Sequence, residues 1–97
     1  MAGPGGRRWT FLTNHAHVLV CIAENPDIRG REIADEVGIS ERAVQGIISD
    51  LVDAGYVSRE RSGRRNHYTI NLDGDLRHPL EEDHTVGELL TMLGRLS

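Results

Sequence analysis

Between Gly30 and Gly55 the chain carries two short helical periods of apolar residues parted by a glycine, and few folds accept that pattern. Ile33, Ala34 and Val37 stand at i, i+1 and i+4, on one face of a short helix. Gly38 stops that helix, because glycine enters the left-handed C-cap conformation without steric cost. Ile39 then fills a buried corner, and Ser40 offers a side-chain oxygen to the free amides of a second helix. There Val44, Ile47, Ile48 and Leu51 recur at helical spacing and face inward, and Gly55 closes the helix at its C′ position. Two helices joined by a short turn containing glycine form a helix-turn-helix.

A chain of 97 residues is one small domain, long enough to bury a single core. Its one cysteine, Cys21, excludes an intrachain disulfide framework and a Cys-rich zinc site. No apolar run approaches the roughly 18–20 residues of a membrane span. Residues 1–8, rich in glycine and ending in Arg7 and Arg8, lack the apolar stretch of a signal peptide and read as a flexible basic tail. A cytoplasmic protein without a membrane partner is the expectation. The net charge of −4 argues against nucleic acid only until its distribution is considered. Arg59, Arg61, Arg64 and Arg65 cluster against the single acid Glu60, whereas Asp73, Asp75, Glu81, Glu82, Asp83 and Glu88 face only Arg77. A local patch of one sign steers a phosphate backbone, while the total charge mostly governs solubility.

The first helix is expected from Thr13 or Asn14 to about Asn25, where Asn25-Pro26-Asp27 ends it. Ala16, Leu19, Val20 and Ala23 form its apolar stripe, widened by Val18 and Ile22, so it should be a central helix. Ile28-Arg29 has room for a strand of one or two residues. After the helix-turn-helix, Tyr56–Arg61 and Asn66–Leu72 alternate apolar and polar residues around a turn at Ser62-Gly63-Arg64-Arg65. This is a β-hairpin with Val57, Tyr68, Ile70 and Leu72 toward the core. Residues 73–84 read as an acidic, irregular connector. Thr85 and Glu88 form a capping box that starts a last helix over 85–97, with Val86, Leu89, Leu90, Leu93 and Leu96 in one stripe.

Helix, helix, turn, helix, hairpin is the element order of a winged helix: a mainly α, α+β fold with an additional C-terminal helix. The chain from Trp9 to Leu72 resembles the winged helix-turn-helix regulators of the MarR/ArsR-like superfamily. The matching residues are R-E-I-A-D-E-V-G-I-S-E-R-A-V-Q from Arg31 to Gln45, D-L-V-D-A-G-Y-V-S-R-E-R from Asp50 to Arg61, and G-R-R-N-H-Y from Gly63 to Tyr68. The ending, L-R-H-P-L-E from Leu76 and then T-V-G-E-L-L, is also similar to that of small single-domain bacterial regulators. The resemblance implies a DNA-binding transcriptional regulator, usually a homodimer, with repression as the default.

The residues lead to the same partner by their own chemistry. The outer face of the second helix of the motif carries Ser40, Glu41, Arg42, Gln45, Gly46 and Ser49. Such a helix enters the major groove with its N-terminal residues toward the base edges. Arg42 suits guanine and Gln45 suits adenine, each by two hydrogen bonds. The hairpin adds Arg59, Arg61, Arg64, Arg65, Asn66 and His67, of which chiefly Arg64 and Arg65 would reach the phosphates or the adjacent minor groove. Trp9, Phe11, Leu12, Val86, Leu89, Leu90, Leu93 and Leu96 are the candidate faces for a two-fold homodimer. A small-molecule effector, if one exists, would lie between those helices and the wing.

No cofactor is implied, and no nucleophile–base arrangement or phosphate loop suggests an enzyme. His15 and His17, at i and i+2, point to different sides of a helix. His78 and His84 beside acids could hold a hard metal or sense pH, but a solvated connector is the simpler reading. Cys21 in an apolar helix behaves as a small hydrophobe, with a redox switch left open. A second function class, a winged helix that binds another protein rather than DNA, draws support from the net acidity, Glu41 and Gly46, which stands where many such regulators have a basic or polar residue.

Overall fold

Three helices in succession build the body of the fold, and each ends where the backbone chemistry requires it. A computed structural model describes residues 9–95. Its elements are α1 (Asn14–Glu24), α2 (Gly30–Val37), α3 (Glu41–Asp53), β1 (Val57–Ser62), β2 (Arg65–Ile70) and α4 (Val86–Met92). This is the expected α+β winged helix-turn-helix with one further helix. Expectations resting on residues 1–8, including Arg7 and Arg8, and on Leu96 lie outside the described residues.

Gly38 adopts φ 83° and its N–H bonds the Ala34 carbonyl, so α2 ends as read. The Ser40 hydroxyl accepts the Ala43 N–H at 3.0 Å and caps α3. Gly55, at φ 83°, lets the Tyr56 N–H return to the Leu51 carbonyl and its own N–H to Val52. That double bond pattern is a Schellman C-cap. The face of α1 that enters the core is centred on Val18 and Ile22, with Leu19 and Cys21 beside them, while Val20 and Ala23 are half-buried at its edge. Val18, Ile22, Ile33, Val44, Ile48 and Leu90 are the innermost side chains, so all four helices contribute to one core. Burying each such side chain contributes about 1.5–3 kcal/mol.

The hairpin pairs Val57 with Ile70, Arg59 with Tyr68 and Ser62 with Arg65 around a two-residue turn. Gly63 takes φ 63° and Arg64 a negative φ, the pattern of a type II′ turn that suits strand twist. Val57 and Tyr68 are buried and Ile70 is half-buried, as the alternation required. Leu72 departs from it and is 40% exposed. It stands beyond the last paired residue of β2, where alternation no longer decides direction. The strand anticipated at Ile28-Arg29 does not form either. One backbone bond, from the Tyr68 N–H to the Pro26 carbonyl, joins the preceding turn to β2, and Arg29 instead sets the N-cap of α2.

Residues 73–84 form a closed loop, shut by a bridge between Asp75 and Thr85. Thr85 and Glu88 make the expected capping box. The helix it starts is shorter than anticipated, because Gly94 at φ 73° closes a second Schellman cap with the Arg95 N–H on Leu90. Val86 and Leu90, expected at an interface between copies, are buried in the chain's own core. Among the described residues of that stripe, half-buried Leu89 and partly exposed Leu93 reach the surface.

Candidate nucleic-acid interface

With Val44, Ile47, Ile48 and Leu51 turned inward, α3 presents Glu41, Arg42, Gln45, Gly46 and Ser49 to solvent. Ser40 sits at its start with one lone pair committed to the cap, which leaves the hydroxyl hydrogen free to donate. The side chain of Gln45 lies folded over the start of α2. A Cβ added at Gly30 would come within 2.7 Å of the Gln45 amide nitrogen. Glycine at position 30 leaves room for this folded arrangement, and a larger residue there would swing the exposed Gln45 side chain away.

The wing faces Gln45 and the start of α2. Cross-strand partners share a face of the ribbon, so Arg59 and Arg61 lie with Tyr68 and Asn66, whereas Arg65 lies with Ser62 and His67 with Glu60. Arg64 occupies the turn itself. All four arginines and His67 are exposed, and Asn66 is half-buried. Arg61 Nε donates to the Gly63 carbonyl at 3.2 Å, bracing the tip. His67 Nδ1 lies 2.7 Å from Asp27 in the turn after α1.

Between these elements runs a groove of about 370 Å³ lined by Asp27, Ile28, Arg29, Gly30, Gln45, Arg64, Arg65, Asn66 and Tyr68. The fold thus brings four of the sequence-derived residues, Gln45, Arg64, Arg65 and Asn66, to one place. Arg59, Arg61 and Ser49 do not line it. It adds Arg29 and Gly30, together with Asp27, Ile28 and the core residue Tyr68, none of which sequence reasoning placed in the site. The Arg-Gly-Arg run at the start of α2 was the available signal for the first two. Three arginines against one carboxylate, itself paired with His67, give the groove a positive balance suited to a phosphate chain.

Among the described residues no three His, Cys, Asp or Glu side chains gather as a metal site. His78 accepts the Leu80 N–H through Nδ1, and His84 pairs with Glu88 at 2.8 Å. Cys21 is buried in the core, and burial first, then the neighbouring Glu36 carboxylate, pushes its thiol up to about 12. A thiol held protonated and out of solvent is a poor nucleophile. No helix among the described residues is long and apolar enough to cross a membrane.

Comparison with known proteins agrees with this architecture. The model of the MarR family matches residues 10–65. An uncharacterized protein of Methanocaldococcus jannaschii is 33% identical over 66 residues, which cover 67% of this chain and 14% of that protein. The chain therefore spans about one-seventh of that relative's length. The crystal structure of the Mycobacterium tuberculosis MarR family protein Rv2887 with salicylic acid superposes with a TM-score of 0.52 at 26% identity, over 62% of this chain and 47% of that one. The zinc-dependent MarR family transcriptional regulator AdcR, in its Zn(II)-bound state, gives a TM-score of 0.48 at 19% identity, over 94% of this chain and 66% of that one. The family match runs unbroken from the residues before α1 through the helix-turn-helix to the first residue of β2, and the chain belongs to the MarR family of winged helix-turn-helix regulators.

Proposed function

We propose that this chain is a DNA-binding transcriptional regulator that acts as a homodimer on a pseudo-palindromic operator and represses by occlusion. Members of its family regulate transcription and are not enzymes. The observation that carries the reading is the groove in which Arg29, Arg64 and Arg65 converge beside Gln45 on α3. In this reading α3 enters the major groove, Arg42 addresses guanine, and Gln45 unfolds from Gly30 to address adenine. Ser40, Ser49, Gly46 and Glu41 line the same face, while the wing, with Arg59, Arg61, Asn66 and His67 behind its tip, holds the phosphates. A two-fold dimer would set half-site centres about 10 base pairs apart.

Residues 9–72 would then form the DNA-binding part, with 73–84 as connector and 85–97 serving dimerisation. In that role the surface comes from Trp9, Phe11, Leu12, Leu89 and Leu93, since Val86 and Leu90 are committed inside. A cytoplasmic location goes with this partner. Because Rv2887 was solved with salicylic acid, small aromatic acids are the effector class to screen first.

Fluorescence anisotropy with a random-sequence duplex, at low and near-physiological salt, tests the reading. Phosphate contacts weaken binding by roughly 0.9 log units per log salt for each one neutralised. Arg64→Ala with Arg65→Ala should flatten that slope by about 2. Absence of binding at low salt overturns DNA as the partner. The alternative, a protein-binding winged helix, is favoured by one observation: α3 itself exposes carboxylates at both ends, Glu41 at its start and Asp50 and Asp53 in its last turn. For such a module the titration would be flat in both proteins.

A further inference from the structure

Trp9 and Phe11 are 70% and 93% exposed, although they are half of the chain's four aromatic residues. Their rings already meet edge to face, with centroids 5.1 Å apart and planes at 84°. The Thr10 hydroxyl donates to the Leu12 carbonyl and fixes the turn that presents them. Beside them a groove of about 730 Å³ opens between the start of α1, the end of α3, the 73–84 loop and α4. Its floor is apolar, with Ala16, Leu19 and Leu76 among its walls, and its rim carries Asp50, Asp53 and Glu81. Phe11 touches the edge of this groove yet leaves it open, because the chain turns directly into α1.

We infer that the groove receives the Trp9–Phe11 pair of a second copy, reciprocally across a two-fold axis; this rests on the homodimer reading above. Plug and socket lie on one face, so the arrangement is self-complementary and closes. Aromatic side chains bury about 150–250 Å² each, so at their 70% and 93% exposure two per copy, exchanged both ways, remove on the order of 500–800 Å². A similar area of groove wall brings the total into the lower part of the ~1,200–2,000 Å² typical of stable interfaces. The preformed ring pair lowers the ordering cost of docking.

Trp9 is the sole tryptophan, so its emission reports docking directly. The full chain is followed by sedimentation and by tryptophan emission across a concentration series, with Phe11→Ser alongside. A blue shift that rises with dimer formation, and a dissociation constant at least tenfold weaker in Phe11→Ser, are the expected results. Because Phe11 is exposed, that variant keeps its fold, which circular dichroism checks. A dimer whose tryptophan emits as exposed, or one that Phe11→Ser leaves intact, overturns the docking and spares the homodimer. Emission already blue-shifted where sedimentation shows a monomer means that the pair docks on its own chain, which also overturns it. A protein monomeric throughout overturns both readings.

Discussion

His67 Nδ1 lies 2.7 Å from Asp27 Oδ1 and ties the second strand of the wing to the turn between α1 and α2. Both side chains are about half exposed, so the pair contributes only ~0–1 kcal/mol to stability. Its electrostatic place matters more, since Asp27 is the one carboxylate lining the groove with Arg29, Arg64 and Arg65. Asp27→Asn should tighten binding to a random duplex by up to about fivefold at low salt, the equivalent of about 1 kcal/mol. Its urea midpoint should barely move. Unchanged affinity would show that phosphates do not pass this groove.

Two helical glycines should respond to alanine in opposite directions. At Gly46 on α3 a Cβ meets nothing within 4 Å, so Gly46→Ala should gain up to ~1 kcal/mol of helix propensity. At Gly87 on α4 a Cβ would lie 2.9 Å from the Leu72 carbonyl oxygen and 3.2 Å from its Cβ. Backbone cannot step aside, and Gly87→Ala should cost roughly 1–3 kcal/mol despite the better propensity. Urea unfolding of the two variants measures both signs.

Leu90 has no exposed surface, whereas Leu93, one turn on, is 36% exposed. Leu90→Ala should cost about 2–5 kcal/mol, a large share of a small domain's stability. Leu93→Ala should cost less than about 1 kcal/mol in the monomer. Equal losses would mean that α4 is not seated in the core as described.

The His84–Glu88 pair at the start of α4 makes that helix responsive to pH. The hydrogen bond to Glu88 raises the His84 pKa, and the same bond lowers that of Glu88. The histidine contribution is complete below its unfolded value near 6.5 and is lost as pH rises through its raised folded value. The glutamate contribution is present above an unfolded value of about 4.3 and is lost as pH falls through its lowered folded value. Together they help α4 most between roughly pH 4.5 and 6.5. NMR titration of the His84 ring should show a midpoint that falls in Glu88→Gln; an unmoved midpoint would dissolve the pair.

What the residue order determined by itself was local. Gly38, Ser40, Gly55 and the Thr85–Glu88 box act within one turn of their own position, so the end of α2, both ends of α3 and the start of α4 were legible from a few neighbours. The turn at Gly63-Arg64 was legible for the same reason, and so were the exposed residues of α3, since a helical period separates its faces. Period tells which side chains share a face but not what covers that face. Only tertiary packing could divide the last stripe, sending Val86 and Leu90 into the core and leaving Leu89 and Leu93 outside. Leu72 likewise lost its core position because strand pairing stops at Ile70. The groove was the least legible part. Arg29 and Arg64 are far apart in the chain, and they share a wall because β2 bonds back to Pro26 while Gln45 folds onto a glycine that has no side chain to keep it away.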